Sequence, residues 1–212
     1  MTSLPQPART ALDVASWRRE VHDLYAAVRA AGSPAQGHAL WVEGRSAMFR
    51  DHPATARLAD QELRHAAYDP AFRFDVEIEP ADEGQWEYAT GTDGVAPFRR
   101  IGQVRLGDLG SLDVWWLGTY GGGVFVPFKD ATNGESTYGA GRYVLDTVKG
   151  ADLGRMPGGD WVVDLNFAYN PSCVYSARWS CPLAPRGNVL TGAAPVGELL
   201  PDYGTSDPYA LD

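Results

Sequence analysis

The sequence changes its hydrophobic periodicity near Tyr68-Asp69-Pro70, and this change constrains the fold more than any other feature. Before it, apolar residues recur at three- and four-residue steps, the spacing of amphipathic helices. After it, Phe72, Phe74, Val76 and Ile78 alternate with charged residues, as in a half-buried strand. The pattern predicts an α+β fold with N-terminal helices packed on an antiparallel β-barrel or sandwich, followed by an irregular C-terminal segment.

Two helices are predicted in the first part of the chain. The first begins at the N-cap residue Asp13 and ends at Gly32. The second has Ser33 as its N-cap, Pro34 as its first residue and an end before Pro53. A short third helix is predicted over residues 55–65.

Short alternating segments separated by turn residues predict about seven strands in an antiparallel sheet, closed or sandwiched. They cover residues 72–79, 86–89, 98–106, 112–117, 124–128, 138–148 and 161–167. The turn between the second and third strands is predicted at residues 92–94.

A chain of 212 residues is long enough to bury a substantial core, and we predict a single domain over residues 1–212. Its helical part is 13–66 and its β-core is 70–168. Residues 169–199 are rich in Pro, Gly and Ser but carry aromatic residues and both cysteines, so we expect packed irregular structure there. Residues 200–212 are expected to form a tail.

The net charge of −9 argues against nucleic acid as a partner, because such proteins neutralise phosphates with a basic surface. No apolar run approaches the ~20 residues that a membrane-spanning helix needs. The N-terminus shows no secretory signal pattern, so we expect a cytoplasmic protein that binds neither nucleic acid nor membranes.

Polar residues concentrate in two blocks, residues 120–143 and 163–173. These blocks, with Cys181-Pro182-Leu183 and Gly197-Glu198, resemble the bacterial and archaeal family called domain of unknown function 1684. The resemblance is strongest over residues 120–198. Where that family usually reads Pro-Pro-Glu-Asn-Arg-Leu, this chain has Pro185-Arg186-Gly187-Asn188-Val189-Leu190. The resemblance supplies a set of residues but no reaction.

Arg142 and Asp164 are the candidate catalytic residues, with Tyr138 and Asn166 beside them. A strand over residues 161–167 places Asp164 and Asn166 on the same face. Arg142 shares a face with Asp146 unless a bulge intervenes, and its guanidinium suits an anionic substrate. Asp164 is the predicted general base, because burial raises the pKa of a carboxyl group.

Six further residues are candidates for substrate binding. They are Tyr169, Asn170, Tyr143, Asp130, Thr137 and Trp116. A structural alternative stands beside this interpretation, because buried Arg–Asp–Asn–Tyr networks also fix strand register. Asp130 in Asp-Ala-Thr-Asn-Gly is equally typical of an Asx turn.

Cys173 and Cys181 are separated by seven residues, which is not the spacing of a Cys-x-x-Cys redox or zinc motif. Two reduced thiols are the ordinary expectation in the cytoplasm, and a disulfide across this loop is the main alternative. A metal site formed by the cysteines with Asp164 or Glu198 is less favoured, and no cofactor is expected.

These features predict a small, cofactor-independent cytoplasmic enzyme that performs acid–base chemistry on a small polar or anionic metabolite. A lyase, cyclase or hydrolase fits, and a role in a specialised biosynthetic pathway is one expectation. The alternative is a non-catalytic binding or assembly partner of a second subunit, in a homo- or hetero-oligomer. A third interpretation is a barrel that binds flavin.

Overall fold

The computed structural model describes residues 4–58, 60–89 and 94–204. Helices α1 (Gln6–Arg29) and α2 (Pro34–Asp51) form a helical hairpin. The Ser33 hydroxyl accepts a hydrogen bond from the Gln36 amide at 3.3 Å, which confirms the predicted cap of α2. Helix α1 begins seven residues before the predicted Asp13 because a proline is tolerated in its first turn.

The predicted third helix is wrong. The described residues of 55–65 contain turns and isolated bridges instead. The Gln61 side chain accepts a hydrogen bond from the Leu58 amide at 2.9 Å and donates one to the Tyr175 carbonyl at 3.0 Å. The bond to the Tyr175 carbonyl is a tertiary contact, so side-chain bonds to backbone groups hold this segment in place of helical hydrogen bonds.

Seven strands occur in the described ranges. They are β1 (Arg73–Val76), β2 (Gln85–Ala89), β3 (Val95–Arg105), β4 (Ser111–Leu117), β5 (Gly123–Phe128), β6 (Arg142–Asp146) and β7 (Trp161–Asp164). Strands β2 to β6 form an antiparallel sheet in chain order, and β1 pairs with β7 in a second antiparallel sheet. Within the described residues β2 does not pair with β6, so the arrangement is sandwich-like rather than a closed barrel.

The α+β prediction is therefore confirmed in its sandwich form. The two sheets share an apolar core that includes Val76, Val114, Val126 and Val163. A second cluster, around Tyr25 and Trp41, joins the helical hairpin to the larger sheet. No closed barrel forms in the described part, and the flavin-binding interpretation stays a prediction.

Three strands, β1, β6 and β7, are shorter than predicted, and local features explain the last two. Strand β6 begins only at Arg142, because Gly141 has φ +103° and ends a turn. Strand β7 ends at Asp164, whose side chain accepts from the Asn166 amide and caps a 3₁₀ turn, Leu165–Phe167. The β5–β6 pairing also shifts register, so Val144 is an extra residue between Arg142 and Asp146.

The ends of the predicted segments also differ. Residues 200–204 are bonded to the rest of the protein, with the Leu200 amide donating to the Ser136 carbonyl and Asp202 pairing with Glu62. Residues 205–212, and two of the three residues of the predicted 92–94 turn, lie outside the described residues. Neither helix in the described part has the length and apolar character that crossing a bilayer requires.

Candidate functional site

A cleft lies between the helical hairpin and the segment that follows β7. It is lined by Tyr25, Arg45 and Phe49 from the helices and by Tyr143, Lys149, Tyr169, Asn170 and Ser172 from the β-side. Its cavity volume is about 60 Å³. We call it the helix–sheet cleft.

Arg45 is the most constrained cation in this cleft. Its guanidinium binds the Glu198 carboxylate in a two-point ion pair, with Nη2 to Oε2 at 3.2 Å. The guanidinium carbon lies 4.6 Å from the Phe49 ring centre and 4.8 Å from that of Tyr169. Two aromatic rings and a fixed carboxylate therefore hold one orientation of the guanidinium.

Glu198 is fully buried, and several groups donate hydrogen bonds to its carboxylate. Its carboxylate accepts hydrogen bonds from the backbone N–H of Asn170 at 2.7 Å and from the Tyr175 hydroxyl at 3.2 Å. His65 Nε2 lies 3.5 Å from the same carboxylate. Burial alone would raise the pKa of Glu198, but the charge and hydrogen bonds of Arg45 and the nearby His65 side chain lower it to about 2. The group is therefore a carboxylate at neutral pH.

A second ion pair lies at the cleft, between Lys149 and Asp146. Lys149 Nζ is 3.3 Å from Asp146 Oδ2, and the Tyr169 hydroxyl donates to the same oxygen at 3.3 Å. The Lys149 side chain is 52% exposed, whereas that of Asp146 is 6% exposed. Burial and the neighbouring Asp146 charge raise the pKa of Tyr169 well above its ordinary value, so its hydroxyl stays protonated.

The two ion pairs are oriented in the same way relative to the cleft. Arg45 and Lys149 line the cleft, while the carboxylates of Glu198 and Asp146 lie behind them in the interior. Asn170 also lines the cleft, and its buried Oδ1 has no hydrogen-bond partner among the described residues. The surface offered to a ligand is therefore cationic, although the four charges sum to zero.

Three predicted substrate-binding residues, Tyr143, Tyr169 and Asn170, line this cleft. Tyr143 and Tyr169 exchange two backbone hydrogen bonds of 2.9 Å, which attach the segment after β7 to the edge of β6. The Tyr143 hydroxyl donates to the Pro182 carbonyl at 2.6 Å. This backbone pairing explains why residues from both polar blocks of the sequence meet here.

Arg142 lies in a different, fully buried network. Its Nη2 donates to Asp130 Oδ2 at 2.8 Å and to the Ala194 carbonyl at 2.9 Å, and its Nη1 donates to the carbonyls of Val196 and Glu198. These partners occupy both terminal nitrogens, so neither nitrogen is open to the anionic substrate that the sequence analysis predicted. Arg142 connects β6 to the C-terminal segment.

Asp130 and Thr137 belong to the same buried network. Asp130 Oδ1 accepts from the Thr132 amide at 2.8 Å, which is the Asx-turn geometry, and from the Ala194 amide at 3.2 Å. The Thr132 and Thr137 hydroxyls are 2.8 Å apart. The observed contacts of Asp130 therefore match the structural alternative, in which this residue forms an Asx turn.

Asp164 and Asn166 are adjacent, but not because they share a strand face. Asn166 lies in the 3₁₀ turn after β7, and its Nδ2 donates to Asp164 Oδ1 at 2.7 Å. Its side chain also bonds both backbone groups of Asp69 at 2.8 Å. Burial raises the pKa of Asp164, opposed by the Asn166 hydrogen bonds and the Arg73 charge. Arg73 Nη1 lies 3.7 Å from this carboxylate.

Arg73 also lines a second cavity, of about 230 Å³, at the turn between the helices. Arg29, Gly37 and Phe167 lie around the same cavity. Arg29 donates to the Asp152 carbonyl, so one of its nitrogens is already bonded. Asp164 lines neither cavity, and Arg73 connects it to this one.

The two remaining candidates lie apart from the cleft. The Tyr138 hydroxyl is 3.8 Å from Cys173 Sγ. Trp116 is 37% exposed on the outer side of β4, next to Gly122, while Trp115 is buried. The less favoured metal ligands Cys173, Cys181 and Glu198 are not brought together either, since the described residues contain no group of three or more metal-ligating side chains.

The sequence analysis missed Arg45 and Lys149 as site residues. A signal for Arg45 was present, because Trp41, Arg45 and Phe49 are four residues apart and lie on one face of the predicted helix. A charged residue within an apolar helix stripe is typical of a buried ion pair. Lys149 follows β6 in a 3₁₀ turn, Thr147–Lys149, and only the tertiary fold brings it to the helices.

Comparison with known proteins places the fold and the family. The solution NMR structure of an uncharacterized protein from Haloarcula marismortui superposes with a TM-score of 0.55 at 24% sequence identity. The match covers 77% of this chain and 92% of that one, and it supports the fold alone. No curated protein matches the sequence. The family model described as "Protein of unknown function (DUF1684)" matches residues 61–199, and the chain therefore belongs to this family.

Proposed function

We propose that this protein binds the anionic end of a small polar metabolite in the helix–sheet cleft and performs acid–base chemistry on it. The observation that carries the proposal is the shared orientation of two ion pairs, which turns Arg45 and Lys149 toward the cleft and their carboxylates inward. A carboxylate or phosphate group of the ligand would complete the coordination of both cations.

Tyr169 and Asp146 are the groups suited to move a proton in this cleft. The Tyr169 hydroxyl is protonated and bonded to Asp146 at 3.3 Å. It donates its proton to an oxygen that becomes negative on the substrate. The phenolate that remains takes a proton back from the Lys149 ammonium group through Asp146, whose Oδ2 contacts both groups. This pair replaces Asp164 in the proposal, since Asp164 does not line the helix–sheet cleft.

The ligand is sought first by native mass spectrometry of freshly purified protein, and then by calorimetry with acetate, succinate and inorganic phosphate at low salt. We expect at least one carboxylate or phosphate compound to bind. Lys149→Gln should weaken binding about tenfold, because it removes a charged donor at a half-exposed position. The compound that binds is then the starting point for an activity assay.

The chain offers a matched control, since its only other lysine is Lys129. Lys129 is absent from the cleft lining, so Lys129→Gln should leave the affinity unchanged. Equal affinities of wild type and Lys149→Gln, or no binding by any compound, would contradict the proposal. Tyr169→Phe keeps the ring beside Arg45 and should bind the ligand with little change while abolishing turnover.

A further inference from the structure

The cavity at the turn between α1 and α2 is larger than the helix–sheet cleft, with a volume of about 230 Å³ against about 60 Å³. Its wall is built from both helices, from the first residue of β1 and from the segments that follow β6 and β7. We call it the helix-turn cavity. The residues that define it are Val28, Arg29, Pro34, Arg73, Leu153 and Phe167.

The polar side of the helix-turn cavity is cationic. Arg29 and Arg73 line it, and no acidic residue of the described chain does. Arg29 forms one side-chain hydrogen bond among the described residues, to the Asp152 carbonyl, and that acceptor carries no charge. Because a guanidinium has five N–H donors, most of those of Arg29 have no acceptor in the described protein.

Arg73 is the second cation, and its protein contacts are long. Its Nη2 lies 3.4 Å from Asp75 Oδ1, and its Nη1 lies 3.7 Å from Asp164 Oδ2. Strong N–H···O bonds are about 2.7–3.2 Å long, so neither contact uses the full donor strength of the guanidinium. Arg73 can therefore accept a further anionic partner without losing a strong bond.

The other side of the cavity is apolar. Val28 and Phe167 are buried and Leu153 is half-buried, and all three pack in the apolar cluster that joins the helices to the larger sheet. A Cβ atom at Gly154 would lie 3.1 Å from Arg29 Cδ. The Arg29 side chain thus lies against the 152–154 segment, directly beside the apolar residue Leu153.

We propose that the helix-turn cavity binds a small amphipathic anion. Arg29 and Arg73 bind its carboxylate or phosphate group, and its apolar part packs between Val28, Leu153 and Phe167. Guanidinium groups suit both oxyanions, and an apolar wall with a few polar groups is typical of small-molecule sites. This inference does not rest on the proposed function, because the cavity and the helix–sheet cleft share no lining residue.

The first test is calorimetry at low salt with benzoate and phenyl phosphate, which each carry one oxyanion on an apolar ring. Benzyl alcohol keeps the ring without the charge, and inorganic phosphate keeps the charge without the ring. We expect at least one aromatic anion to bind about tenfold more tightly than both comparison compounds, because it uses both sides of the cavity. Equal affinity for either comparison compound, or no binding at all, would overturn the proposal.

Variants place the bound anion in one cavity or the other. Arg29→Gln removes the guanidinium at an exposed position and should weaken binding of the aromatic anion at least about tenfold. Arg18→Gln is the matched control, since Arg18 is exposed on the same helix and lines neither cavity. Lys149→Gln should also leave this affinity unchanged. A loss in Lys149→Gln but not in Arg29→Gln would refute this site and support the helix–sheet cleft instead.

The apolar wall is tested separately. Leu153→Trp places a larger side chain in the wall and should abolish binding, whereas Leu183→Trp changes an exposed leucine outside the cavity and should not. Circular dichroism confirms that each variant is folded. In amide NMR spectra of the wild type, the signals of Gly32 and Gly37, which line the cavity, should shift on addition of the aromatic anion. Unshifted signals of both glycines under saturating anion would refute the site without any variant.

Discussion

Arg142 Nη1 donates to the backbone carbonyl of Glu198 at 3.1 Å, while the carboxylate of the same Glu198 binds Arg45 on the side of the cleft. Glu198 is thus held through its main chain from β6 and through its side chain from α2. Arg142 therefore has a positioning role, because it holds the backbone of Glu198, and the Glu198 carboxylate in turn orients Arg45 in the cleft. The predicted candidate Arg142 and the overlooked Arg45 are connected through one residue.

Arg45→Ala should destabilise the protein by about 3–5 kcal/mol, because it leaves the Glu198 carboxylate buried without its counter-charge. Urea unfolding of the variant and the wild type measures the difference. Arg50→Ala is the matched control on the same helix, since Arg50 and its partner Asp51 are 63% and 65% exposed. That exposed pair should contribute less than about 1 kcal/mol. Similar losses for both variants would contradict the role of the buried pair.

The Glu198 ion pair should also make stability depend on pH. The pKa of Glu198 is lowered from 4.5 to about 2 in the folded protein, so the folded state binds fewer protons than the unfolded state between these values. Its contribution is present above pH 4.5 and is lost as the pH falls toward about 2. The full effect is about 3 kcal/mol. Unfolding free energies measured from pH 6 to pH 3 test this slope.

The comparison variant for the pH experiment is Glu198→Gln, which should lack this part of the acid dependence. Glu135→Gln removes an exposed glutamate and should retain the wild-type slope. A Glu198→Gln protein whose stability falls as steeply below pH 4.5 as the wild type would show that other groups control acid unfolding.

Arg142→Lys should lower the free energy of unfolding by about 3 kcal/mol, because one ammonium group cannot replace the guanidinium bonds to Asp130 and three carbonyls. Since Glu198 then loses one of its supports, ligand affinity in the cleft should fall as well. Urea unfolding measures the first effect and calorimetry the second. Unchanged stability combined with weakened binding would favour the direct anion contact predicted from the sequence.

The sequence predicted the elements whose residues alternate or repeat strongly. Ser33 and Pro34 located the start of α2, and the alternation after Pro70 indicated antiparallel strands. Positions set by side-chain bonds to distant backbone were not predictable. Gln61 replaces the expected third helix by bonding Leu58 and Tyr175, a contact that exists only after folding.

The same limit applies to the candidate site, which was predicted only in part. Tyr169 and Asn170 were identified because they lie in a dense polar block, and the fold brings them into the cleft. Arg45 and Glu198 are 153 residues apart, so no local pattern links them. Arg142 was correctly seen as part of a polar network, but its partners are carbonyls of the irregular C-terminal segment, which sequence periodicity does not locate.

Gly187, where the chain departs from the usual motif of its family, should not tolerate a side chain. A Cβ atom there would lie 2.0 Å from Asp113 Oδ2, and that carboxylate is held by Arg100 Nη1 at 3.2 Å from each oxygen. Gly187→Ala should therefore cost about 1–3 kcal/mol through overpacking. Urea unfolding measures the loss, and Gly158→Ala is the control, because nothing lies within 4 Å of its Cβ position.

A double variant distinguishes this clash from a general effect on the loop. If the Asp113 carboxylate is the obstacle, Gly187→Ala should cost less in an Asp113→Ala background than in the wild type, and the two changes should not add. Strict additivity would place the strain elsewhere in the segment. Asp113→Ala alone also removes the Arg100 ion pair. The cost of Gly187→Ala is therefore measured twice, once relative to the wild type and once relative to the Asp113→Ala protein.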